Sequence, residues 1–223
     1  MLHLILPMND SIIKQQLSAI YTGFNETWIE ILKSIRPLNW LIAGVRGYHD
    51  YFIQQQRKIL IKEILERLNV LEDVLKNPWY KSDDGEEVLK KTISSALNAE
   101  FTDKLEFFAN IIFNSQQDVE QLEKLKFIDM VRQLSKAAIR VLAEVIKTHQ
   151  SLVGLHQVEQ IIGNVISHTE INDRDHVKAC INELIAVGLL HLNVKHIAAN
   201  DFTVRFVDFI KDPRISDTES KTT

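Results

Sequence analysis

Histidine has the best claim to chemistry in this sequence: eight are present, and His156, His168, His176, His191 and His196 crowd into one C-terminal stretch. Imidazole is a common metal ligand and changes charge near neutral pH. A metal centre needs three or four such donors converging, with carboxylates such as Glu159 or Asp173 completing the set. The spacing argues otherwise. No H-x3-H pair lies on one helix, His149 precedes His156 by two helical turns, and His191 and His196 flank a strand end. Scattered surface histidines are the expectation, with a histidine-based enzyme or metal protein as the third-ranked alternative. Cys180, the only cysteine, falls on an apolar helical stripe, where a thiol is buried and inert. No glycine-rich phosphate loop, G-x-S-x-G, H-E-x-x-H or C-x-x-C occurs. The acidic run Asp83-Asp84-Gly85-Glu86-Glu87 lacks the alternating ligands of a calcium loop. It reads as a solvated turn that places Glu86 and Glu87 at a helix N-terminus, where the macrodipole favours them. The expectation is therefore no enzyme, no cofactor and no bound metal.

Binding chemistry is the other candidate. On a helix drawn through Met130–Lys147, the residues Arg132, Lys136, Arg140 and Lys147 lie within roughly 80° of one another at about 100° per residue, opposite the apolar stripe. Such a face suits a nucleic-acid backbone or an acidic partner, and equally an ordinary solvated surface. Lys178, Lys195 and Arg205 are the further candidates for that contact. Against them, residues 150–223 hold seven Lys/Arg and ten Asp/Glu. Phosphate contacts dominate affinity for DNA, so an acidic balance disfavours nucleic acid. A second cluster, Arg57, Lys58, Lys62 and Arg67, is diluted by Glu63 and Glu66 and reads as an exposed face. Trp28, Trp40, Phe107, Phe108 and Phe113 take positions where a helix buries them, so they read as core.

The elements that must position these residues are mostly helices. Few glycines and prolines (7 and 4 of 223 residues) and a 45% apolar fraction suit a helical globular chain with an ample core. One cysteine excludes an internal disulfide and fits a reducing compartment. No apolar run approaches the ~20 residues of a membrane span, and no basic n-region opens a secretory signal, so the cytoplasm is expected. A helical pattern runs from Asn9 or Asp10 toward Arg36, where Pro37 stops it, with Gly23 a point of division. Leu38–Gly47 reads as a short buried helix or turn, and Tyr48–Lys76 as a long helix ended by Asn77-Pro78. Lys81–Gly85 reads as a loop, Glu86–Asn98 as a helix, and Thr102 as the cap of a helix to Asn114. Asp118 opens a stripe that continues past Ser135, itself a good cap, which leaves one helix or two open. The division expected is a helical bundle over 9–134, a second domain over 135–211, and a disordered tail over 212–223 rich in Ser, Thr and charge.

The second domain has a distinctive order. Helices fit Ser135–Thr148 and His156–Ile166, separated by the apolar patch Leu152-Val153-Gly154-Leu155. Asp173 caps a third helix, on which Val177, Cys180, Ile181, Leu184 and Ile185 form a buried stripe, and Gly188 ends it. Leu190, Leu192 and Val194 then alternate with polar residues as a strand, and Phe202, Val204 and Phe206 as another. Through Ala179-Cys180-Ile181-Asn182-Glu183-Leu184-Ile185-Ala186-Val187-Gly188-Leu189-Leu190 the chain resembles winged-helix domains. The resemblance implies a mainly α fold, with a multi-helix N-terminal bundle followed by a winged-helix-like unit and a small β-hairpin. It also implies that Asp175, His176, Lys178, Ala179, Asn182, Glu183 and Ala186 form the exposed face of the third helix, and that Lys195 and Arg205 lie on adjacent wing strands. In the N-terminal part, Arg36-Pro37-Leu38-Asn39-Trp40-Leu41-Ile42 and Asp103-Lys104-Leu105-Glu106-Phe107-Phe108-Ala109-Asn110-Ile111 resemble uncharacterised prokaryotic abortive-infection alpha-type proteins. These readings point to a non-enzymatic protein-interaction or regulatory module, in phage defence if the second resemblance holds, with a protein partner or a second copy of itself. The alternative is a DNA-binding regulator that uses the winged helix and the Arg132/Lys136/Arg140 face.

Overall fold

A computed structural model describes residues 10–43, 51–100, 102–148, 156–169, 171, 173–193 and 196–215. Chain contacts divide it into two compact units, Met1–Ile128 with Lys211–Thr223, and Asp129–Ile210. Both are mainly helical, and no helix among the described residues is long and apolar enough to cross a membrane.

The first unit contains α1 (Asp10–Ile20), α2 (Trp28–Ser34), α3 (Arg36–Ala43), α4 (Tyr51–Leu71), α5 (Asp83–Leu97), α6 (Leu105–Asn114) and the start of α7 (Gln121–Gln133). Its centre is α6. Leu105, Phe108, Ala109, Ile111, Ile112 and Phe113 of that helix are all buried, and a helix apolar on every side must be enclosed. The helices α4 and α5 pack directly on it. The apolar pattern expected between Asp10 and Arg36 divides where Gly23 stands, with the Asn25 side chain accepting from Thr27 N at 3.1 Å before α2. Pro37 marks a beginning as well as an end. Ile35 is extended (φ −105°, ψ 107°), and Pro37 occupies the first turn of α3, where its missing N–H costs nothing.

The segment Lys81–Gly85, expected as a loop, belongs largely to α5. Ser82 is the N-cap, its hydroxyl oxygen accepting from Gly85 N at 3.1 Å, and Asp83, Asp84 and Glu86 occupy the first turn. Gly85 serves close approach here: a Cβ would lie 2.1 Å from the Trp79 carbonyl oxygen. Nearby, the buried Tyr80 hydroxyl donates within reach of the Ile112 and Phe113 carbonyls at 2.8 and 3.1 Å, and burial raises its pKa.

Arg67 corrects another expectation. It is 1% exposed, not on a solvated face. Its Nε donates to Asn110 Oδ1 at 2.7 Å, Nη1 to the Glu63 carbonyl and carboxylate, both at 2.7 Å, and Nη2 to the Glu106 carbonyl at 3.3 Å. One guanidinium thus ties α4 to α6. After the second unit the chain comes back to the first, where Asn114 Nδ2 donates to the Lys211 carbonyl at 2.9 Å.

The second unit runs α8 (Lys136–Thr148), β1 (His156–Gln157), α9 (Val158–His168), α10 (Arg174–Ala186), β2 (His191–Asn193), β3 (His196–Ala198) and α11 (Asp201–Ile210). The strands form an antiparallel sheet in the order β1-β3-β2, with His156 opposite Ile197 and Leu192 also opposite Ile197. Gly188, at φ +78°, ends α10 in the left-handed region, which glycine adopts without a Cβ clash.

One strand expectation fails, and the other holds only in part, since β2 (His191–Asn193) is a strand but Leu192 does not face inward. Phe202–Phe206 is part of α11, where the buried residues Thr203, Phe206, Phe209 and Ile210 recur at helical steps. Asn200 opens that helix by accepting from Thr203 N at 3.0 Å, while the Thr203 hydroxyl reaches the Leu189 carbonyl at 2.6 Å. Leu192, expected to alternate inward with Leu190, is 53% exposed, whereas Leu190 is buried. The patch Leu152–Leu155 and most of the tail lie outside the described residues.

Replacing Gly85 by Ala is expected to cost about 1–3 kcal/mol, because the Trp79 backbone cannot yield 1 Å cheaply. Gly163→Ala, in the open interior of α9 with nothing within 4 Å, should gain about 0.5–1 kcal/mol. Urea unfolding of both variants checks the contrast. Arg67→Ala should cost about 3–5 kcal/mol by leaving Glu63 and Asn110 without their partner. Arg67→Met with Asn110→Leu should recover a good part of that loss in the same assay.

Candidate interaction surface

The exposed face of α10 is built by its own buried stripe. Val177, Cys180, Ile181 and Leu184 face the core against α8 and α9, which turns Asp175, His176, Lys178, Ala179, Asn182 and Ala186 outward. Asp173 sets the start of the helix by accepting from Asp175 N at 2.9 Å. Cys180 is 2% exposed; burial, and then the adjacent Glu183 carboxylate, push its thiol pKa up, away from the thiolate a nucleophile requires.

The charges on α10 are engaged. Lys178 lies 3.6 Å from Asp175, and Arg174 contacts the Glu159 carboxylate of α9. Glu183, counted from its spacing among the exposed acids, is half-buried and turned toward the start of α8. Its carboxylate accepts from Ser135 N and, at 2.8 Å, from the Ser135 hydroxyl. Ser135 Oγ in turn accepts from Ala138 N at 3.1 Å, capping α8. This cap answers the question the sequence leaves open: the helix through Met130–Lys147 is two helices, broken at Leu134–Ser135.

That break removes the single-helix geometry that grouped the basic residues. Arg132 is exposed on α7, Lys136 half-buried at the first position of α8, and Arg140 exposed further along it. Lys147 belongs to α8, but its side chain is outside the described residues, as is Lys195. Arg205 is exposed on α11, not on a wing strand. None of Arg132, Lys136, Arg140 or Arg205 is without an interaction partner.

The histidines are dispersed. His168 Nδ1 lies 2.9 Å from the Asn164 carbonyl and 3.3 Å from the Glu144 carboxylate. The Asn200 amide lies 3.0 Å from His191 Nε2. His176 is exposed on α10, and His149 and the side chains of His156 and His196 fall outside the described residues. Among the described residues no group of three or more His, Cys, Asp or Glu is arranged to hold a metal ion.

Glu183 and Arg67 are among the polar residues that spacing misassigns, as are Arg57 and Arg205. Arg67 carries a readable signal, since it falls three residues after Ile64 on the apolar stripe of α4. Glu183 carries none, because its partner is 48 residues away. Comparison with protein-family models, curated proteins and solved structures finds no match to this chain.

Ser135→Ala removes both the cap and the hydroxyl that Glu183 accepts from, and should cost about 1–2 kcal/mol. Glu183→Gln keeps one acceptor oxygen and should cost less. Thermal melts followed by circular dichroism check the ranking.

Proposed function

We propose that the chain is a protein-interaction module without chemistry of its own, engaging its partner through a winged-helix-like second unit. The winged-helix reading is supported by the order α8-β1-α9-α10-β2-β3, three helices and then a hairpin that precedes α11, together with the sheet order β1-β3-β2. In DNA-reading relatives of this arrangement the helix corresponding to α10 would enter the major groove. Its chemistry here favours protein instead. The observation that carries this reading is that both cations of α10, Arg174 and Lys178, are matched by carboxylates.

What α10 then offers is a nearly neutral surface of His176, Ala179, Asn182 and Ala186, with small side chains that allow close approach. Leu192 adds an exposed apolar side chain elsewhere in the same unit. Protein interfaces are depleted of charge at their centres, and such a face suits one. The regulatory or phage-defence setting we propose rests on the N-terminal resemblance alone.

A duplex DNA titration at about 50 and 200 mM salt separates the readings. The interaction module should show no binding that falls steeply with salt and no retention on heparin. A partner captured from the source cells should be lost with Ala179→Arg/Ala186→Arg. Salt-sensitive DNA binding abolished by Arg132→Glu/Arg140→Glu would overturn the proposal in favour of a DNA-binding regulator.

A further inference from the structure

The last carbonyls of a helix lack partners within it, and at the end of α3 a side chain of α4 supplies them. Arg57 Nε donates to the Leu41 carbonyl at 2.5 Å and Nη2 to the Ile42 carbonyl at 2.7 Å. Carbonyls satisfy these N–H groups without balancing the charge. Among the described residues no carboxylate lies within ion-pair distance of Arg57, and burial lowers its pKa, although a guanidinium stays charged. A half-buried cation is thereby fixed in place with its Nη1 donors left over.

Arg57 lines a cavity of about 360 Å³ in the first unit. The lining is chiefly apolar, from Trp40, Leu41, Ile93 and Leu97 among others. Lys90 also lines it, its ammonium 5.4 Å from the Trp40 ring centre, and the Arg36 guanidinium lies 5.3 Å from the same ring. Arg36 and Lys90 share one acid, Glu86, at 3.3 and 2.5 Å. Among the described residues, the three cations Arg36, Lys90 and Arg57 therefore have one carboxylate, Glu86, between them, and it pairs with the first two. Gln54 and Arg57 also line a second, more open depression of about 490 Å³ that carries Lys58 and Lys62. Lys62 pairs with Glu66 at 3.7 Å, while Lys58 has no acid partner among the described residues.

We propose that this crevice binds an amphipathic organic carboxylate, its apolar body against Trp40, Ile93 and Leu97 and its anionic head at Arg57. The cavity lies within the range of small-molecule sites, which pair an apolar lining with a few polar groups that fix orientation. At about 30 Å³ per water displaced, it holds a body of roughly a dozen heavy atoms. A neutral ligand would leave the surplus positive charge unanswered. A carboxylate oxygen answers it through charge-assisted hydrogen bonds from Arg57 Nη1, and enclosure by apolar walls strengthens them.

Isothermal titration of the full chain with decanoate and with naphthoate tests this, with decanol and decyltrimethylammonium as the uncharged and cationic counterparts. Saturable one-site binding of at least one carboxylate is expected, about tenfold or more tighter than decanol, with none for the cation. Arg57→Gln should weaken it about tenfold. Ser94→Trp, an exposed position lining the cavity, fills the apolar part with all cations intact and should abolish binding, so the test survives if Arg57→Gln fails to fold. Lys81→Ala, on the surface elsewhere, should bind as wild type does. Equal affinity for decanol and decanoate, unchanged binding by Ser94→Trp, or no saturable binding of either carboxylate below ~1 mM would each overturn the proposal.

Discussion

A guanidinium in the interior of a helical bundle must be met on every side, and Arg67 sets the terms on which α4 and α6 pack. Its partners come from three kinds of group: the Asn110 side-chain amide, the carbonyls of Glu63 and Glu106, and the Glu63 carboxylate one turn earlier on its own helix. Hydrogen bonds to a charged group contribute about 1.5–3 kcal/mol each, but desolvating the charge costs several. The surplus over an apolar pair is therefore small, and the consequence is chiefly geometric. Only one axial register of α4 against α6 brings Asn110 and Glu106 to the fork together. The surrounding apolar side chains, Leu60, Ile64, Leu68, Phe108 and Ile111, are compatible with neighbouring registers, since apolar contact is not directional. The arginine is not, and α5, packed on both helices, inherits the register it selects.

The second unit meets a comparable problem through a carboxylate. Between α7 and α8 two residues leave the helical path, and the new helix begins with unpartnered N–H groups. Ser135 satisfies one from within, and Glu183 of α10 satisfies Ser135 itself from outside. The same contact fixes where α10 lies along α8 and withdraws one negative charge from the exposed surface. Packing and surface character are set here by a single side chain.

How much of this was legible in the sequence depends on how local the cause is. The stripe Val177, Cys180, Ile181 and Leu184 predicts the burial of α10 and its exposed face because both follow from the helical repeat alone. Asp173 and Gly188 are readable for the same reason, since a cap and a left-handed terminator act within a few residues. The window Phe202–Phe206 misleads because it is too short: period two fits five residues, and only Phe209 and Ile210 reveal the helical recurrence. Gly85 reads as a turn residue when its role is close approach to Trp79, a contact made by the fold. The Arg57 cavity was invisible for a related reason, as its walls come from α3, α4 and α5 and its charge excess from pairings across them.

Formal charge counts fail in both units in the same way, because they ignore which charges the fold consumes. The 150–223 segment is acidic by count, yet Glu159, Asp175 and Glu183 are all committed to partners. What remains on the face of α10 is close to neutral, which is a different surface from the acidic one the tally describes. On α4 the comparison is sharper still, since Arg57 and Arg67 share a helix and both donate to backbone carbonyls. Arg67 has Glu63 beside it, so its charge is balanced inside the bundle and its role ends there. Among the described residues Arg57 has only the carbonyls, with an apolar cavity against it. An interior cation balanced by a carboxylate is architecture; one satisfied by dipoles alone keeps its field, and that field extends into the apolar cavity that Arg57 lines.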